Sequence, residues 1–178
     1  MPNFTPSHST LHAFCVKPNY KFETQHVSEQ VMLVLRAHPI TQLPWIINSV
    51  FLLLVIFFLN FFYINFLTPT QIIFANLFGL SIIYSYILFN FLSWYFNVGI
   101  ITNERIIDVD FHAVIYKEVT ESQLSKVEDV TAKSGGFFAS IFNYGHVFIQ
   151  TAGTNVNIEF HNAPKPAEVT KIINDLVP

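Results

Sequence analysis

Charge is what this sequence has least of. Lys, Arg, Asp and Glu make up 12% of its 178 residues, about half the usual quarter in soluble proteins. Apolar residues reach 52%, with 20 Phe among them. Intrinsic disorder as the main state is thereby excluded, since disordered chains combine low hydrophobicity with high charge. The same composition argues against a soluble single domain. A net charge of −3 offers no broad nucleic-acid footprint, and no nucleic-acid partner is expected. One cysteine, Cys15, allows neither an internal disulfide framework nor a cysteine-based zinc site.

Enzyme signatures are also missing. No HExxH, CxxC, Walker loop or GxSxG pattern occurs, so neither a catalytic residue nor a cofactor is expected. His8 and His12 stand at i and i+4, but the Ser/Thr-rich stretch around them does not favour the helix that would align them. His112, His146 and His161 fall in strand-like segments with no matching Cys or carboxylate spacing. These three are read as solvent-facing or hydrogen-bonded strand residues, and no metal site is expected.

The charge deficit is local. From Ala37 to Asn103 there is no Lys, Arg, Asp or Glu. Two apolar runs fill this stretch, residues 45–67 and 72–96. At about 1.5 Å rise per residue they reach roughly 35 and 37 Å, enough for a hydrocarbon core of about 30 Å. Neither has the polar face that a water-exposed helix needs. Their small polar residues are expected at the helix–helix contact, Asn60 and Ser81 foremost. Pro69 in the short link is expected to stop the first helix, because the residue before a proline is pushed out of the α region. So short a link requires an antiparallel hairpin with both ends on one side. Lys17, Lys21 and Arg36 precede the first run, Arg105 follows the second, and the link has no basic residue. The positive-inside rule then places both termini in the cytoplasm.

Residues 1–28 are expected to form a flexible tail without the apolar core of a signal peptide, leaving insertion to the first span. Cys15 in that tail is read as an inert thiol. Residues 29–44 are read as a juxtamembrane segment. Residues 97–178 hold six basic and ten acidic side chains and change to short alternating runs. Strands are expected at 98–101, 106–111, 114–119, 127–133, 146–151 and 155–161. Turns fall at Thr102–Arg105, where Asn103 can turn left-handed, at Ser134–Gly136, at Asn143–Gly145 and at Gly153–Asn155. Val169, Ile172, Ile173 and Leu176 follow helical spacing and predict a closing amphipathic helix.

Several short motifs recur in order: Glu29 and Arg36-Ala37-His38-Pro39, two spans, Ile101-Thr102-Asn103-Glu104-Arg105-Ile106-Ile107, Leu124 to Val130, Tyr144-Gly145-His146-Val147 and Thr151-Ala152-Gly153. This order resembles the bacterial pleckstrin-homology (PH)-like "membrane-flanked domain" family, the YdbS-like proteins, from about Glu29 to the C-terminus. The resemblance implies a membrane α-helical hairpin carrying a small mainly-β PH-like domain, two antiparallel sheets capped by a C-terminal helix. It carries over no catalytic residue. Because residues 97–178 are short for such a domain, Val31–Leu35 are expected to add a strand or to lie as an interfacial helix.

Candidate headgroup contacts are Arg36, His38 and Arg105. For Arg36 and His38 the favoured reading is a topogenic charge and a helix start. For Arg105 it is an ion pair with a nearby carboxylate such as Asp129, or support for the turn. The acidic balance of 97–178 speaks against specific phosphoinositide binding. Phe137, Phe138, Ile141 and Phe142 form an apolar segment read as packing on the domain, or else as contacting the bilayer or a partner. The function expected is a non-enzymatic scaffold or interaction module at the cytoplasmic face of a bacterial inner membrane. Its partners are the lipid bilayer and either an unknown membrane protein or a second copy. The alternatives are a lipid-headgroup sensor or a subunit of a membrane enzyme or transport complex.

Overall fold

The computed structural model describes residues 12–18, 22, 24–112, 116–152 and 157–177. His8, the Gly153–Asn155 turn and parts of the expected 114–119 and 155–161 strands lie outside the described residues. The order is β1 (Phe14–Val16), β2 (Val31–Leu35), α1 (Leu43–Tyr63), α2 (Pro69–Phe96), β3 (Val98–Thr102), β4 (Arg105–His112), β5 (Tyr116–Gln123), β6 (Val127–Lys133), α3 (Phe137–Phe142), β7 (Tyr144–Thr151), β8 (Ile158–Pro164) and α4 (Pro166–Leu176).

Two apolar helices of 25 and 28 residues, the first counting the 3₁₀ turn at Pro39–Gln42, contain no Lys, Arg, Asp or Glu. They are long and apolar enough to cross a membrane. Ser49 and Ile83 are the buried residues of α1 and α2, whereas a core helix of a soluble protein would be mostly covered. The first helix ends at Tyr63, four residues short of the expected Leu67, and the second starts at Pro69, three residues ahead of Ile72. The proline opens α2 rather than closing α1. Thr68 before it is extended (φ −72°, ψ 155°), and its N–H donates to Gln71 Oε1 at 2.9 Å, a helix start in which proline needs no N–H donor. Gly79 lets the helices approach: a Cβ there would stand 2.8 Å from Ile56 Cδ1.

The strands form two antiparallel sheets, β1-β2-β3-β4-β5 and β6-β7-β8. Val31–Leu35 is a strand, with Val31, Leu33 and Leu35 inside. The tail reading fails at Phe14–Val16. Cys15 and Val16 are 2% and 7% exposed, and Val16 lies opposite Leu33. Burying those side chains fixes the segment as a strand. The domain therefore draws on chain from both sides of the helical pair, more than residues 97–178. Neighbours β2 and β3 are joined by the helical pair itself. Leu33, Ile101, Ile106, Val147, Val169 and Ile173 are fully covered, each contributing about 1.5–3 kcal/mol by leaving water. Val169 and Ile173 come from α4, which closes the core over β6 and β7.

Candidate functional site

The end of the domain facing the hairpin is tied to both helices. Arg36, just past β2, donates from Nε to Tyr95 O at 3.0 Å, and its guanidinium lies 5.0 Å from the Tyr95 ring centre. A cation here satisfies one of the free carbonyls at the C-terminus of α2. Trp94 Nε1 donates to Ala37 O at 2.8 Å. Asn97 Oδ1 accepts from Phe111 N at 2.6 Å. His38 caps the turn into α1, its Nδ1 accepting from Ile40 N. Burial lowers the pKa of this imidazole, so its capping nitrogen stays free to accept. Arg36 and His38 thus stand at the junction, holding protein groups.

The expected apolar segment is the short helix α3. Ala139 is buried and anchors it, while Phe137, Phe138, Ile141 and Phe142 are exposed by 75%, 65%, 58% and 40%. Such a cluster is unusual on a soluble surface. Its position follows from what comes next in the chain. Asn143 takes a left-handed φ of 52° and ends the helix, and Tyr144 stacks on His38 with centroids 5.6 Å apart. The C-terminal end of α3 therefore lies near the start of α1. Covering by the domain itself, the favoured expectation, holds for Ala139 and not for the four large side chains.

At this same end, along the seam between β8 and the larger sheet, lies a cavity of about 110 Å³ lined by Arg36, Asn97, Asp108, Asp110, Glu159 and His161, among others. Burial, with Asp110 and Glu118 adding repulsion, pushes the Asp108 carboxyl up to about 7.

Arg105 belongs to the opposite end. The five residues of β3 carry the turn about 17 Å from α2 at roughly 3.3 Å per residue, and there Arg105 is engaged by protein groups. Its Nε and Nη2 donate to the two oxygens of Glu29 at 3.0 and 3.2 Å, its Nη1 to Glu121 at 2.8 Å, and Nη2 also to Thr24 O at 2.7 Å. The Glu29 side chain is fully covered. Burial acts to raise its pKa, but Arg105 and the His26 N–H outweigh that and hold it low. Glu29, not Asp129, is the partner, because β2 brings the preceding residues alongside the turn. Asp129 instead accepts from Thr131 Oγ1. Asn103 does not turn left-handed: it is absent from the positive-φ residues, and its side chain accepts from Gln30 N at 2.7 Å. His26, Glu29 and Glu104 also converge here, yet both Glu29 oxygens already carry Arg105.

Within the hairpin, Asn60 contacts the partner helix as expected, while Ser81 does not. Asn60 and Asn76 exchange amide hydrogen bonds at 3.0 and 2.8 Å. Ser81 is exposed and donates to Leu77 O one turn back. A hydroxyl can return to its own helix, whereas paired carboxamides satisfy one another across two.

One grouping escaped the sequence. Val147 pairs with Phe160 and Phe148 with Glu159, so His146, Glu159 and His161 share the outer face of the smaller sheet. The Nδ1 atoms of His146 and His161 are 3.2 Å apart, and Glu159 Oε1 lies 3.4 and 3.2 Å from them. Only the cross-strand register creates this set; no sequence spacing announces it.

Two packed antiparallel sheets closed by a C-terminal helix, mounted on an apolar helical pair, define a PH-like domain on a hairpin. The bacterial PH domain pattern matches residues 40–177, and the chain belongs to that family. The match takes in the hairpin and everything after it, and leaves β1 and β2 upstream. No curated protein and no solved structure matches the chain.

Proposed function

We propose that this protein is a non-enzymatic, membrane-anchored scaffold of bacteria. The hairpin spans the inner membrane with both termini cytoplasmic, α3 rests in the headgroup region of the same leaflet, and the domain holds a membrane-protein partner or a second copy close to the bilayer. The observation that carries this reading is the exposed apolar face of α3, a helix whose C-terminal end lies near the entry to α1. Two anchoring elements on one side fix the domain's orientation as well as its location. Tethering then raises the effective concentration of any partner confined to the same membrane. The cytoplasmic surface left for a partner includes β5, an edge of the larger sheet, where Tyr116 and Val119 are 65% and 48% exposed. Edge strands accept added strands from partners.

A headgroup sensor fits less well. Arg36 and Arg105 are engaged with Tyr95 O and Glu29, and Asp108, Asp110 and Glu159 line the junction cavity. Chemistry inside the membrane lacks the ionisable residues that would mark it, since none of Lys, Arg, Asp or Glu lies between Ala37 and Asn103.

The test uses the full chain in native membranes. Photo-crosslinking residues at positions 138 and 119 should yield lipid adducts at the first and a discrete protein adduct at the second. Absence of a protein adduct at 119 counts against the scaffold, and absence of lipid at 138 against the second anchor. A reporter fused after Pro178 should be active in the cytoplasm; a periplasmic readout overturns the sidedness.

A further inference from the structure

Two imidazole nitrogens and a carboxylate oxygen lie within 3.4 Å of one another, on three side chains of two adjacent strands, and turn three potential ligand atoms toward one point. Without a cation or shared protons, the three lone pairs would repel. We propose that His146, Glu159 and His161 form a binding site for one divalent transition-metal ion of the zinc class, on the outer face of the β7–β8 pair.

The triangle has edges of 3.2, 3.2 and 3.4 Å. A tetrahedral ion with bonds of about 2.0–2.1 Å separates its ligands by roughly 3.3–3.4 Å. The edges fit such an ion seated just above the plane of the three atoms, with its fourth position toward solvent. Two nitrogens and one carboxylate oxygen suit zinc, cobalt or nickel better than calcium or magnesium, which take oxygen ligands.

The sheet holds the set in place. The backbones of β7 and β8 are hydrogen-bonded on either side of the site, with Val147 and Phe160 buried directly beneath. Just beyond His161 the register shifts by an extra residue, and Asn162 takes a left-handed φ of 52°. Bulges of this kind re-aim side chains beside functional sites.

The surrounding charges come from three elements. Lys133 of β6 lies opposite His146, but its ammonium is drawn over the Phe148 ring, 4.6 Å from the centroid. Asp108 and Asp110 of β4, together with Arg36, line the cavity that Glu159 and His161 also border. Carboxylates outnumber cations there, which favours a bound cation. Ligation uses the neutral form of each imidazole, whose ring-nitrogen lone pair faces the ion.

The test is a titration of the untagged full chain in detergent micelles with Co²⁺, then Zn²⁺ in competition with a chromophoric chelator, near pH 7.5. The expected result is one equivalent bound, a visible cobalt absorption that zinc abolishes, and affinity at least about tenfold weaker in His146→Ala, His161→Ala and Glu159→Gln. His26→Ala should leave it unchanged. Circular dichroism before metal addition checks the fold of each variant, and the 63% exposed His161 side chain makes His161→Gln a gentle substitute. Absence of stoichiometric binding overturns the proposal. So does binding that persists in a His146→Ala/His161→Ala double variant, or a pair that only shares a proton and ignores added metal.

Discussion

The Tyr144 ring lies on the His38 imidazole, centroids 5.6 Å apart and planes 24° from parallel, and this contact joins the first residue of β7 to the residue before Pro39. It sets where α3 sits. Tyr144→Ala should cost about 0.5–1.5 kcal/mol in domain stability, read by thermal unfolding in detergent, while leaving the hairpin helical.

An environment-sensitive dye at Ser140→Cys on α3 should emit further to the blue in proteoliposomes than one at Glu121→Cys at the opposite end. Adding Phe137→Ser and Phe138→Ser should erase that difference and shift stability by no more than about 0.5 kcal/mol, since both rings are exposed. Equal emission from both dyes in the unmodified chain would remove α3 from the bilayer.

Arg105→Ala should destabilise the domain by about 3 kcal/mol, because it strands the covered Glu29 carboxylate. Glu29→Gln should cost less. The acid limb tests the same pair. Glu29 titrates lower when folded than its ordinary 4.5, so its contribution is present above that value and is lost as pH falls through the folded pKa. The variant should lack that part of the decline.

Asp108 has the opposite sign. Its folded pKa, about 7 against 3.8, means the folded chain keeps a proton that the unfolded chain has released, and stability falls as pH rises between those values. Asp108→Asn should match the unmodified protein near pH 4 and exceed it by about 2–4 kcal/mol at pH 8. Melting curves at the two pH values measure this; an equal difference at both would rule it out.

Asn60→Leu and Asn76→Leu should each loosen the hairpin by about 0.6–1.7 kcal/mol. The double variant should lose less than their sum, because neither carboxamide is left unpaired. A double-mutant cycle in detergent reads the coupling, and strict additivity would show that the amide exchange contributes nothing.

The helical pair and the closing helix were legible in the sequence because each is written in a local pattern: an uninterrupted apolar run without charge, or Val169, Ile172, Ile173 and Leu176 at helical spacing. The strand character of residues 98–101, 106–111 and 127–133 was legible in short apolar or alternating runs. Long-range placement was not. Nothing near Arg105 in sequence says that Glu29 will arrive from the other side of the hairpin, and nothing near His146 says that β8 will bring Glu159 and His161 beside it. Phe14–Val16 is too short to show alternation and follows a Ser/Thr-rich stretch, so its pairing with β2 is invisible without the partner. At Asn103 a residue suited to a left-handed turn instead used its side chain on Gln30. The four large side chains of α3 were legible as apolar and not as uncovered, because cover depends on what packs nearby.

The helical pair interrupts the larger sheet between β2 and β3, and this imposes an order of assembly. On the ribosome, β2 emerges with no β3 to join until everything from Arg36 to Asn97 has been made, a wait of several seconds at about 5–20 residues per second. Through that interval its buried-face residues Val31, Leu33 and Leu35 stand open to chaperones or to the wrong edge. Completion of the domain thus reports that both helices have been synthesised, and a chain arrested between them cannot close its core.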